Sequence, residues 1–308
     1  MNPLLGIFFC VLSTVGFTLM GATVRYIGDR VPVGEMVFAR NFVVLVLLVL
    51  FLAVRGDLMK TIRTRNLRGH LTRSGANIVS IFFHYAGLVR IPLAEATAIG
   101  FAIPLFTVAL AAIFLREQVR LWRWSAVFVG FFGVLVMLSP HLGGVGHGSQ
   151  AALGAIFVLI STFLIAVVMI QVRHLSKTET TPRLVLYYSF FASVAGLASL
   201  YWGWTMPSTG DLIALVCIGL FGGLGQTFIT ESLRYAPASV IAPFGYASML
   251  WSVLIGYFWL GELPVAIVFV GAAIVIASGL FVIWREHKLG LDRKRAAELA
   301  VPPIGPAA

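Results

Sequence analysis

The sequence predicts an all-α membrane protein of ten transmembrane helices, arranged as two inverted five-helix repeats. Three observations predict it: an apolar composition, a long stretch that recurs, and a lopsided distribution of basic residues. Hydrophobic residues make up 59% of the chain, charged residues 11%, and the mean hydropathy is +0.97. About a quarter of the residues in a typical soluble domain are charged. A chain this apolar would expose too much hydrocarbon to water, so its solvent is a bilayer.

The recurring stretch is 92–117, PLAEATAIGFAIPLFTVALAAIFLRE. It is long enough to cross a bilayer, which takes about 20 apolar residues. Shifted by 145 positions it aligns without a gap with 237–262, PASVIAPFGYASMLWSVLIGYFWLGE. Pro92 falls on Pro237, Gly100 on Gly245, Ala102 on Ala247, Leu105 on Leu250, Val108 on Val253, Leu115 on Leu260 and Glu117 on Glu262. Shared apolar composition explains part of the match. The Pro at one end and the Glu at the other carry the rest. Inner prolines break the symmetry: Pro104 falls on Met249, and Pro243 on Ala98. Two kinks at different depths, and hence two inequivalent gates, are expected.

Apolar runs bounded by charges, Gly or Pro place the ten spans at 4–26, 34–54, 74–89, 93–115, 122–138, 153–172, 184–204, 212–233, 238–260 and 265–284. Runs of this length without alternation read as helices and not as barrel strands. The first repeat then covers 1–142 and the second 151–284, joined by a flexible linker at 143–150, GGVGHGSQ. A basic tail, 285–308, ends in VPPIGPAA and reads as disordered. The N-terminus lacks a basic leader, and its apolar run reads as a first span and not as a cleaved signal. Cys10 and Cys217 both lie inside apolar runs, away from any metal-ligand spacing, and read as small packing residues.

The net charge of +10 would suit nucleic acid in a soluble protein. Here it reads as the positive-inside bias. Taking the links alternately, the side holding the N-terminus carries 18 of the 22 Lys and Arg. The other side carries Arg25, Arg30 and Arg90, and Arg40 lies within the second span. Both termini are therefore expected in the cytoplasm of a bacterium, with the chain crossing the inner membrane many times. Five spans per half is an odd number, so the related halves must be inverted. Inverted repeats around a midplane site are the architecture of alternating-access carriers.

No catalytic or metal motif stands out, and neither an enzyme nor a cofactor is expected. His84 lies inside the third span, with Asn77 two turns earlier on the same face. Polar groups inside a span line a cavity or bond a neighbouring helix. Phe101 and Tyr246 are equivalent residues beside the kink prolines, Pro104 and Pro243, and read either as a stacking surface for a planar or cationic substrate or as ordinary packing aromatics. Gln226 follows a Gly-rich run in the eighth span, and Phe17 and Ser161 are the picks from the first and sixth. Arg40, Glu117 and Glu262 read as structural, the two Glu capping or tethering matched helix ends.

The runs GLVRIPLAEATAIGFAIPLFTVALAAIFLREQV and ESLRYAPASVIAPFGYASMLWSVLIGYFWLGELP resemble the drug/metabolite transporter superfamily, specifically its EamA-type ten-helix members. The resemblance extends over about 4–284. It implies a central cavity lined by helices 1, 3, 4, 6, 8 and 9, and it places Arg40, in FARNF, in the family's second-helix pattern. The expected function is a secondary transporter exporting amino acids or related small metabolites across the inner membrane. The alternative is an importer of a larger metabolite such as S-adenosylmethionine or riboflavin. An intramembrane enzyme, a passive channel and a purely structural bundle are the other classes. The partners expected are a small-molecule substrate and the lipid bilayer, with no nucleic acid, in a monomer or homodimer.

Overall fold

The structure is a computed structural model. It describes residues 3–64, 66–114, 121–142, 148–176, 178–236 and 238–300. Among the described residues there are helices and no strands. They are α1 (Pro3–Ile27), α2 (Val33–Val54), α3 (Leu58–Ile62), α4 (Leu67–Leu88), α5 (Leu93–Gly100), α6 (Ile103–Phe114) and α7 (Leu121–Leu142). Then follow α8 (Gly148–Leu175), α9 (Thr181–Ala198), a 3-10 turn (Ser199–Trp202), α10 (Thr209–Tyr235), α11 (Ala238–Gly245), α12 (Ala247–Leu260) and α13 (Ala266–Ala300). Among the described residues, eight segments are long and apolar enough to cross a membrane, with Leu93–Ile113 and Val240–Leu260 each taken as one, and Trp124–Ser139 is a shorter apolar helix. The 22-residue α4 is not among the eight. It carries Arg68, His70, Arg73, Asn77 and His84.

Without water to drive apolar faces together, membrane helices associate through close packing and hydrogen bonds. Four pairings dominate: α1 on α10, α4 on α8, α7 on α13 and α2 on α9. Behind them come α2 on α10, α4 on α9, α1 on α12 and α6 on α8. On the α1–α10 seam Gly16 faces Gly225. A Cβ on Gly16 would stand 3.1 Å from the Gly225 Cα and 3.2 Å from the Phe221 carbonyl oxygen. The α4–α8 seam is held by Ser80, whose hydroxyl lies 3.1 Å from that of Ser161.

Both kinked segments open into two helices. Phe101 and Ala102 separate α5 from α6, and Tyr246 alone separates α11 from α12. At the first break, Phe101 and Ala102 donate to the third residue back, Ala98 (3.1 Å) and Ile99 (3.0 Å). At the second, Tyr246 donates to Pro243 (3.3 Å) and Met249 to Tyr246 (3.0 Å). Such i→i−3 bonds mark a locally tightened helix. The unequal prolines predict kinks at different depths; the breaks instead fall at equivalent residues. The shared element is the preceding glycine, Gly100 or Gly245. Glycine is a poor helix former, costing about 1 kcal/mol against alanine. Pro104 removes the donor that would bond the Gly100 carbonyl. Pro243 removes a bond one turn earlier, yet the helix still opens after Gly245.

A second difference concerns the C-terminal tail. Residues 285–300 continue α13 as one helix, and 301–308 lie outside the described residues. The run REHKLGLDRKRAAELA is rich in Arg, Lys, Leu, Glu and Ala, all strong helix formers, and it starts from a helix already nucleated.

The two ends of the bundle are tied by different networks. At one end Glu262 accepts from Arg25 Nε (2.7 Å) and from the Leu93 backbone N–H (2.9 Å). Arg30 pairs with Asp211 at 3.0 Å at the same end. At the other end Glu179 accepts from Thr64 (2.6 Å) and Arg183 (2.6 Å). Arg183 also donates to the carbonyls of Thr61 (2.9 Å) and Lys60 (2.7 Å), and Tyr187 to that of Ile62 (2.7 Å).

His70 sits in this second network. It is fully buried, stacked on Tyr187 with ring centroids 4.4 Å apart, and 3.7 Å from Glu179. Burial, with Arg73 and Arg183 nearby, pulls its pKa below the usual 6.5, against the attraction of Glu179. Burial opposes the charge on Glu179, but the hydrogen bonds from Arg183 and Thr64 outweigh it and hold that carboxyl below its usual range. A depressed histidine contributes fully above its unfolded pKa and loses stability as pH falls below it. The purified protein is therefore expected to melt at lower temperature at about pH 5 than at about pH 7. His70→Phe, which keeps the stack, should flatten that slope. An equal slope in both proteins would show that His70 does not carry it.

Candidate functional site

The two broken segments meet. The rings of Phe101 and Tyr246 contact edge to face, with centroids 5.0 Å apart and planes at 76°. Each stands at the open turn of its own segment. Beyond this contact, the Tyr246 hydroxyl packs against Gly279 on α13, where a Cβ would overlap it. An edge-to-face pair of this kind is worth about 0.5–1.5 kcal/mol beyond the area it buries. The two breaks are thus held against each other and not merely neighbours.

A second polar group lies between α2, α4, α9 and α10. Arg40 donates from Nη1 to the Tyr188 hydroxyl at 3.3 Å. Its side chain also lies against Gly222, 3.2 Å from where a Cβ there would stand. Tyr85, fully buried, and His84 are its electrostatic neighbours. The His84 ring tilts against Tyr85 at 6.3 Å and is half-buried. Asn77 is also half-buried, and among the described residues its side chain makes no hydrogen bond. Gln226 is exposed and falls one turn beyond Gly222 on α10. Its carbonyl accepts from Thr230 at 2.8 Å.

Two of the residues picked from sequence lie in helix seams instead of on an open face. Ser161 is fully buried and spends its hydroxyl on Ser80. Phe17 covers Gly225, 3.0–3.2 Å from where a Cβ there would stand. In both, a polar or aromatic residue inside a span reads the same whether it meets a neighbouring helix or a cavity. Pro104 lies in the first turn of α6 and Pro243 inside α11. Glu262 tethers the start of α5 to the ends of α1 and α12. Glu117 lies outside the described residues.

Sequence reading missed Tyr85, Tyr188, Arg73 and Ser80. The available signal was the spacing of Arg73, Asn77, Ser80 and His84 on α4: steps of four, three and four place them along one face. Tyr188 carried no such signal, since its partner is 148 residues away. Among the described residues, no cluster of three or more His, Cys, Asp or Glu is placed to hold a metal ion.

Known proteins resemble this chain over most of its length. The model of the EamA-like transporter family matches residues 4–139 and again 152–284. An S-adenosylmethionine uptake transporter of Rickettsia conorii is 28% identical over 295 residues, covering 96% of this chain and 97% of that protein. A riboflavin transporter of Vibrio cholerae is 25% identical over 301 residues, covering 96% and 98%. A solved crystal structure superposes with a TM-score of 0.62 at 19% identity, covering 90% of this chain and 93% of that one, a likeness of fold.

Proposed function

From the premise that this chain belongs to the EamA-like transporter family, we propose that it takes up a metabolite larger than an amino acid by alternating access between two inverted five-helix halves. It is a multi-pass membrane transporter. The observation that carries the proposal is the Phe101–Tyr246 contact. These residues are each other's counterparts under the 145-residue shift. A residue that touches its own counterpart lies on the two-fold axis relating the halves. In an inverted repeat that axis runs in the membrane plane, where carriers of this kind bind substrate.

The packing supports the same reading. Counted as ten spans, the halves are α1, α2, α4, α5–α6, α7 and α8, α9, α10, α11–α12, α13. Exchanging them turns the α1–α10 pairing into α8–α4, α2–α10 into α9–α4, and α1–α12 into α8–α6. The α7–α13 and α2–α9 pairings map onto themselves. The residues follow. The shift carries Gly16 to Ser161 and Ser80 to Gly225, so these two contacts, one on each main seam, exchange.

The substrate class moves away from exported amino acids. The relatives are named for uptake of S-adenosylmethionine and for transport of riboflavin. Both molecules carry a planar heterocycle, for which paired aromatic rings beside two opened helices offer a stacking surface. The charge count supports both termini in the cytoplasm. Counterflow in proteoliposomes tests the proposal. Liposomes loaded with unlabelled S-adenosylmethionine, or with riboflavin, should accumulate the labelled compound transiently and saturably. Uptake that neither saturates nor depends on internal substrate would indicate a channel and overturn it.

A further inference from the structure

We propose that Arg40, with Arg73 and Tyr188, forms a built site for a carboxylate, and that the transported molecule presents one there; the inference rests on the carrier reading above. Tyr188 links the two arginines. Its hydroxyl accepts from Arg40, and its ring face lies 5.7 Å beneath the Arg73 guanidinium. Arg73 is buried, 8% exposed, and donates from Nη1 to the Leu184 carbonyl at 2.7 Å. The Nε atoms of both arginines are buried without a hydrogen-bond partner, and so is the Tyr85 hydroxyl. Among the described residues, neither arginine forms an ion pair with a carboxylate. Two guanidinium groups thus sit inside the bundle, stabilised by phenols, a carbonyl and a ring face, with no negative charge to balance them.

Such an arrangement is unfavourable as a purely structural device. Buried charges are ordinarily paired, because desolvation alone costs several kcal/mol per ion. The arginine fork is matched to the two oxygens of a carboxylate and receives it in two parallel bonds. Arg73, Asn77 and His84 lie on one face of α4, so further polar groups of the site share a line with the arginines. Asn77 has open donors and an acceptor for the polar groups around a carboxylate. The Arg40 site and the Phe101–Tyr246 pair together suit a molecule with a carboxylate at one end and a flat ring at the other. S-Adenosylmethionine has both. Riboflavin has the ring and no carboxylate.

The test uses wild-type protein in proteoliposomes with three labelled probes: S-adenosylmethionine, its decarboxylated analogue and riboflavin. Wild type should prefer the acid over the decarboxylated form by about tenfold or more, the worth of a charge-assisted hydrogen bond. Arg40→Gln should erase the preference, bringing the two KM values together while counterflow of the decarboxylated analogue persists. Arg40→Lys, which keeps the charge and loses the fork, should retain part of it. Tyr188→Phe removes only the hydroxyl partner and should raise KM for the acid alone, which guards against an Arg40 variant that fails to fold. A structural arginine would lower transport of both compounds together. Wild-type counterflow without carboxylate preference, counterflow of riboflavin alone, or a preference that survives Arg40→Gln would each overturn the site and leave the carrier reading standing. Absence of saturable counterflow with any probe would overturn both.

Discussion

Tyr246→Ala is expected to lower counterflow at least tenfold while the purified protein keeps its fold. The ring is half-buried, and it touches its own counterpart Phe101 where both segments open. Removing it takes away one side of the contact between the halves and one face of the proposed stacking surface. An interaction of about 1.4 kcal/mol corresponds to a tenfold change, within reach of one aromatic contact together with its buried area. Tyr246→Phe keeps the edge-to-face pair and should transport nearly as well as wild type. Phe101→Ala should resemble Tyr246→Ala, and the double variant should be little worse than either, because residues in direct contact do not contribute independently. Wild-type rates in both single variants would make the pair ordinary packing.

The second large effect concerns the seam between α1 and α10. Gly16→Leu should lower the unfolding midpoint by roughly 5 °C, because overpacking a tight contact costs about 1–3 kcal/mol and a domain this size loses a few degrees per kcal/mol. The backbone of α10 stands where the new side chain must go, with the Gly225 Cα and the Phe221 carbonyl both within 3.2 Å of the Cβ position. Neither is the movable end of a side chain, so relief requires the helices to part. The exchanged point on the other seam is less demanding. Ser161→Ala removes one hydroxyl contact with Ser80, worth about 1 kcal/mol, and should shift the midpoint by only a few degrees. Melting of the purified protein in detergent, followed by intrinsic fluorescence, separates the two. Equal shifts would show that Gly16 does not stand at a tight contact.

Much of the scaffold was legible because it repeats. The 145-residue shift, found in one apolar stretch, also links the Gly16–Gly225 and Ser80–Ser161 contacts. The turn after Gly100 and Gly245 was present in that alignment, but the prolines drew attention to the wrong positions. Proline announces a lost hydrogen bond wherever it stands; the glycine shared by both segments marks where each helix opens. The site was legible less evenly. His84 and Asn77 stood out as polar residues in an apolar span. Ser161 stood out equally and turned out to bond a neighbouring helix, since hydropathy carries no direction. Arg40 was visible as a charge, but its partner Tyr188 lies on another helix, and only the fold brings them together. The helical tail was hidden by its charges, which suggest a solvated segment and serve a helix equally well.

Alternating access makes the two ends of the bundle answer oppositely to substrate, and paired spin labels read both ends directly. After replacement of Cys10 and Cys217, one pair would be placed at Arg90 and Leu263, flanking the Arg25–Glu262–Leu93 network. The other would be placed at Arg63 and Ser176, flanking the Glu179–Arg183 network. All four positions are exposed. With saturating substrate in proteoliposomes, the account predicts that one distance distribution shifts to longer values and the other to shorter. Distributions that remain unchanged, or that lengthen together at both ends, would contradict it.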